Sequence, residues 1–139
     1  MTLFEIDGDI SIARSFDAAE LAGLPDQIVE RSLLLGGRDI GGVRLATIVA
    51  ALGVKSWARY ATLRASDGCV ANLPIAALKD CLLVYRIGDG PLPSELGGPV
   101  RVLTRGLDRC TNVRGLIRVT FAVAAAATAP CHHRARMLA

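Results

Sequence analysis

Apolar and polar residues alternate from the start of the chain. In FEIDGDISIA, Phe4, Ile6, Ile10 and Ile12 alternate with Glu5, Asp7 and Ser11, and an Asp7-Gly8 step separates the halves, which predicts a hairpin. SFDAAELAGLP predicts a short helix: Asp17 caps it, Glu20 completes a capping box, Phe16 and Leu21 are placed as a staple, and Gly23 and Pro25 end it. QIVERSLLL reads as a strand and GGRDIGG as a glycine-rich connection. VRLATIVAALGV carries a helical stripe at Leu45, Ile48, Val49 and Leu52, closed by Gly53.

SWARYATLRAS alternates again and predicts a strand facing two environments, followed by a turn at Asp67-Gly68. LPIAALKD fits one or two helical turns, with Asn72 as cap and Pro74 near the start. CLLVYRI is apolar up to Arg86 and reads as an interior strand; GDGPLPSELGGP is an irregular connection, VRVLTR a strand, GLDRCT a loop and NVRGLIRVTF a closing strand. These elements predict an α+β fold, a mixed β-sheet with short helices, as a single domain over residues 1–121. Residues 122–139 are alanine-rich and then basic, and read as a tail or peripheral helix.

Composition fits one folded domain. The chain has 139 residues, 52% of them hydrophobic and 4% aromatic, with a net charge of +3. Charge is unevenly spread: residues 1–30 hold seven acids against Arg14 alone, and the rest holds six acids and 15 bases. That suits a domain with one basic face. Few aromatics and no nucleic-acid-binding signature argue against nucleic acid as a partner. No apolar run is long enough to span a membrane, and an acidic start is unlike a signal peptide, so the expectation is a cytoplasmic protein. Cys69, Cys81, Cys110 and Cys131 form no Cys-x-x-Cys pair and read as reduced and mostly buried. His132 and His133 adjoin Cys131 near the C-terminus, where a fixed metal sphere is not expected, so no metal site is assigned.

GGPVRVLTRGLDRCTNVRGL, residues 97–116, concentrates the candidate chemistry, with Arg101, Arg105, Arg109 and Arg114 set among glycines. Alternation puts Arg101, Leu103 and Arg105 on one strand face and Arg114, Leu116 and Arg118 on another. If the two strands are neighbours, their guanidinium groups converge, and such forks bind phosphate bidentately. Arg101 and Arg114 are expected to point into the site, with Asn112 beside them, Gly98 in the bend that starts the strand, and Cys110 approaching from the loop. Arg105, Arg109 and Arg118 are expected to be solvated. A solvated basic face explains the same arginines equally well.

The order DGC-x-A-x-LP, then LLVYRIGDGPLPSELGGPVRVL, then CTNVRGLIRV, resembles the oxidoreductase molybdopterin-binding domain, the central domain of sulfite oxidase and its bacterial relatives. GGVRLATIVAALGV looks like that family's Trp-x-Gly-Val-x-Leu segment, and ELAGLPDQIVERSLLL is similar to the stretch before its metal-binding cysteine. The resemblance covers roughly residues 16–121. It implies a pterin phosphate held by basic and amide donors, with Arg101 matching the family's arginine after the proline and Arg114 a basic residue of its last strand. Two positions depart from the pattern. Leu33, Leu34, Leu35 and Gly36 stand where the molybdenum-ligating cysteine is expected, and Leu96 precedes Gly97-Gly98-Pro99 where a histidine is expected.

Three functions follow from these readings. One is a domain binding molybdopterin, the molybdenum cofactor or another phosphate-bearing heterocycle without ordinary sulfite-oxidase catalysis. Another is a small molybdenum-dependent oxidoreductase with a non-standard ligand such as Cys110. The third is a fold reused without cofactor as a subunit, in a homo-oligomer or with a redox partner protein.

Overall fold

The computed structural model describes residues 1–32, 36–104 and 112–130. In chain order the elements are β1 Phe4–Gly8, β2 Arg14–Phe16, α1 Ala18–Ala22, β3 Ile28–Ser32, β4 Arg38–Arg44, α2 Leu45–Leu52, β5 Tyr60–Ala65 and β6 Val70–Pro74. A 3-10 helix, Ile75–Asp80, leads to β7 Cys81–Ile87 and β8 Gly90–Pro91; a second, Ser94–Leu96, precedes β9 Arg101–Thr104 and β10 Leu116–Ala122. The fold is α+β, as the apolar pattern predicts, but its strands divide into two sheets. The first runs β2-β1-β10-β5-β6, with β1 and β10 parallel; the second runs β3-β4-β7-β8, and β9 also pairs with β7.

Both sheets feed one core. Phe4, Ile6, Leu63, Val119 and Phe121 come from the first, Val43, Leu83, Tyr85 and Val102 from the second, and α2 adds Leu45, Ile48 and Leu52. The buried side of α2 is the stripe read from the sequence, and Gly53 ends the helix in the left-handed region at φ 73°. Both capping-box bonds of α1 form: Glu20 N–H donates to Asp17 Oδ1 at 2.7 Å, and Asp17 N–H to Glu20 Oε1 at 3.1 Å. The opposite face of the second sheet carries a smaller cluster of Ile40, Leu82, Val84, Ile87 and Leu92. Among the described residues no helix is long and apolar enough to cross a membrane.

Three local expectations differ from the structure. The hairpin partner of β1 is β2, pairing Phe4 with Phe16, whereas Ile10 makes only an isolated bridge to Val54. Asp7-Gly8 is therefore not the hairpin turn: Gly8 ends β1, and a Cβ there would overlap the Phe121 carbonyl of the neighbouring β10. GGRDIGG is largely strand β4, because its second glycine pair permits close approach; a Cβ on Gly42 would lie 2.5 Å from Leu83 O. Asn72 lies inside β6 and caps no helix. Its Oδ1 accepts from Thr62 Oγ1 at 2.7 Å and from Ala126 N–H at 3.1 Å, while its Nδ2 donates to Ala126 O at 2.7 Å.

Residues 123–130 are thus pinned to the first sheet, and Ala129 bridges Val70 with two 3.1 Å backbone bonds. Thr62 is buried beside this contact, 2% exposed, with its hydroxyl bonded to Asn72. One described cysteine agrees with expectation and one departs from it. Cys81 is free and buried, but Cys69 is held in a disulfide whose partner lies outside the described residues. Cys131, His132 and His133 lie outside them too.

Candidate functional site

The site begins with a sharp bend. The 3-10 helix Ser94–Leu96 ends at Gly97, whose φ of 97° is a conformation that side-chain-bearing residues rarely adopt. The Gly98-Pro99 peptide is cis. Gly98 N–H donates to Pro93 O at 2.9 Å, and a Cβ on Gly98 would overlap the Leu92 carbonyl, so only glycine fits there. The bend delivers the chain into β9 beside the segment that enters β10. Gly115 N–H donates to Gly97 O at 2.8 Å, Leu116 N–H to Val100 O at 2.9 Å, and Val102 N–H to Val113 O at 2.8 Å. The neighbour relation required by the sequence reading therefore exists.

Arg101 and Arg114 meet over Gly97. A Cβ on that glycine would stand 2.8 Å from Arg101 Cδ and 3.0 Å from Arg114 Cγ, so the hydrogen of Gly97 leaves room for both arginine stems. Arg101 is 7% exposed, uncommon for an arginine. Its Nη1 donates to Leu96 O at 3.2 Å, its Nε is buried without a hydrogen-bond partner, and no described carboxylate pairs with it. Burial, and then the charge of Arg114, push its pKa down from the ordinary arginine value to about 10. The guanidinium still carries its charge at neutral pH. The depression follows from holding positive charge away from water beside a second cation, with no described carboxylate against it.

The other predicted site residues are placed differently. Asn112 Oδ1 accepts from Thr104 N–H at 2.8 Å and Thr104 Oγ1 at 2.7 Å, so its carbonyl ties β9 to the approach to β10. Gly98 shapes the bend, and its N–H is already used. Cys110, Arg105 and Arg109 lie outside the described residues. Arg118 does not share a face with Leu116, because the β10 register shifts between them; Leu116 is fully buried, while Arg118 is exposed and pairs with Glu5 and Asp7 at 2.8 Å each. Sequence reasoning missed Gly97, which it read only as part of a bend. The signal was the doubling of glycine before proline, since one glycine suffices for a turn.

The arrangement brings two arginine stems together over Gly97, and arginine is the residue type that suits an oxyanion such as the phosphate end of a pterin cofactor. Among the described residues it offers no thiolate for a metal. Cys69 is disulfide-bonded, and burial pushes the Cys81 thiol up to about 12. Among the described residues no three of His, Cys, Asp and Glu lie close enough together to hold a metal ion. A pocket of ≈ 210 Å³ lined by Ile28, Glu30, Arg44, Lys79, Asp80 and Leu82 lies elsewhere, and its two acids balance its two bases.

Comparison with known proteins bears on the fold and the family. The family model described as "Oxidoreductase molybdopterin binding domain" matches residues 34–128, well over half of the chain. The crystal structure of the sulfane dehydrogenase SoxCD from Paracoccus pantotrophus superposes with a TM-score of 0.71 at 18% identity, over 88% of this chain and 38% of that one. The chain therefore spans well under half the length of that relative. No curated protein matches the chain significantly.

Proposed function

The chain belongs to the oxidoreductase molybdopterin-binding domain family, and on that premise we propose that it binds a pterin cofactor by its phosphate, between Arg101 and Arg114, without ordinary sulfite-oxidase catalysis. The observation that carries the proposal is the buried Arg101 guanidinium, paired with no described carboxylate, set against Gly97 beside a second arginine. An isolated buried charge is costly, and a phosphate dianion offsets that cost with charge-assisted bonds. The two arginines would hold and orient the phosphate. When bound, the cofactor would supply redox chemistry at its metal end. Leu33, Leu34 and Leu35 stand where the sequence pattern leads to expect the thiolate, and leucine offers no donor.

Residence in an oxidising compartment is part of the same proposal, in place of the cytoplasmic expectation, and is supported by the Cys69 disulfide. A role as a partner-binding subunit has less behind it. Glu5 and Asp7, from the acidic segment that would serve as a docking surface, are already paired with Arg118 inside the chain. The test is calorimetric titration with inorganic phosphate and with a pterin phosphate monoester. Arg101→Ala should weaken binding roughly ten-fold or more, the loss of one charge-assisted bond, whereas Arg118→Ala should change little. Equal losses in both variants would mean general surface attraction and would end the proposal.

A further inference from the structure

Arg86 is the one charged residue of the otherwise apolar β7. The strand registers set Val29, Gly41 and Arg86 side by side across β3, β4 and β7. A bulge between Gly41 and Gly42 leaves Tyr85 without a partner across β4, which changes the alternation of β7 there. Leu82, Val84 and Ile87 consequently pack in the smaller cluster, while Tyr85 packs in the main core. Arg86, opposite Gly41, shares the side of Tyr85. Arg101 pairs with Val84 and shares the other side, so the two arginines serve opposite faces of the sheet.

Arg86 lies across the Gly41 backbone. A Cβ on Gly41 would stand 2.6 Å from Arg86 Nε, 2.8 Å from Nη2 and 3.0 Å from Cζ, so glycine is what lets the guanidinium settle there. Its Nε is sealed from water and has no hydrogen-bond partner. No described carboxylate pairs with Arg86; Asp39, on the same side of the sheet, is 4.0 Å from Arg31 instead. Val29, the next residue across the sheet, is 61% exposed. The sheet thus fixes the plane of the guanidinium at a desolvation cost, leaves its two Nη groups outside the set of buried unpartnered atoms, and places an apolar surface beside it.

We propose that Arg86, seated on Gly41 beside Val29, anchors a second anion site that takes a short organic carboxylate, its two oxygens on the Nη fork and its apolar substituent on Val29. Planar forks and planar carboxylates match bidentately, and the apolar neighbour discriminates against fully hydrated inorganic anions. This site is separate from the Arg101–Arg114 cradle and stands whether or not a pterin binds there.

The Nε–H resonance of Arg86, assigned by its loss in Arg86→Gln, reports on the site in the full chain titrated with isovalerate or acetate. A saturable shift is expected, with isovalerate the tighter ligand. Gly41→Ala keeps every charge, and its new methyl displaces only the end of a flexible side chain, so it should fold. It should weaken isovalerate binding roughly ten-fold, as loss of the charge-assisted contact requires. Arg101→Gln should leave the titration unchanged. For Arg86→Gln, calorimetry should show the same loss as Gly41→Ala. A non-saturating response, equal affinity in Gly41→Ala, or loss of the shift in Arg101→Gln would overturn the proposal.

Discussion

Replacing Arg101 by methionine should stabilise the ligand-free protein while weakening its phosphate response. The Arg101 guanidinium is 7% exposed, its buried Nε lacks a partner, and its pKa is pushed well below the ordinary arginine value to about 10. At about 1.36 kcal/mol per pKa unit, holding that charge costs on the order of 3 kcal/mol at neutral pH. Methionine keeps most of the unbranched stem that packs on Gly97. It loses the bond to Leu96 O, worth about 1.5 to 3 kcal/mol for a charged donor, so a net gain of about 1 kcal/mol remains. The pH dependence has a definite sign. From about pH 10 up to the ordinary arginine value the unfolded chain binds more protons than the folded one, so wild-type stability rises with pH through that window; below it the cost is fully present. Phosphate reverses the ranking at neutral pH: at 100 times the wild-type Kd it adds about 2.7 kcal/mol to the wild type but at most about 1.4 kcal/mol to a variant that binds ten-fold more weakly or worse. Urea unfolding in phosphate-free buffer, then with phosphate, measures both terms. A variant less stable than wild type by more than about 1 kcal/mol without any anion would refute the reasoning.

Further outcomes follow from neighbouring residues. Gly97→Ala places a methyl 2.8 Å from Arg101 Cδ at a φ of 97°, so it should cost about 1 to 3 kcal/mol in chemical unfolding and separate the two arginines, weakening phosphate binding as well. Cys69→Ser should lower stability by about 2 to 5 kcal/mol and make unfolding insensitive to reductant, as scored by denaturation with and without dithiothreitol. Cys81, buried and with its pKa raised to about 12, should resist iodoacetamide until the chain unfolds, which mass spectrometry after pulsed alkylation would show. Asn72→Ala breaks three hydrogen bonds, so amide exchange at Ala126 should accelerate more than exchange in β10.

Local rules were legible where one segment contains its own cause. The α1 capping box and the α2 stripe needed only residues within a turn or two, and both formed as read. The misreadings involve partners distant in sequence. Gly8 looks like a hairpin turn until Phe121 lies beside it, and Gly41 and Gly42 look like a loop until Arg86 and Leu83 press on them. Asn72 looks like a helix cap because its true partner, Ala126, lies 54 residues away. For the site, alternation identified Arg101, but it carried Arg118 onto the wrong face because a bulge after Leu116 is invisible in a period-two pattern. The convergence of Arg101 and Arg114 depended on a long-range pairing that the sequence could state only as a condition.

The most direct test of the central claim is the pterin content of the full chain purified from its native host, released, oxidised and quantified by fluorescence and mass spectrometry against protein concentration. The account predicts a near-stoichiometric phosphorylated pterin in the wild type and its loss from Arg101→Gln expressed in the same host. No pterin in the wild type, or an undiminished amount in Arg101→Gln, would contradict it.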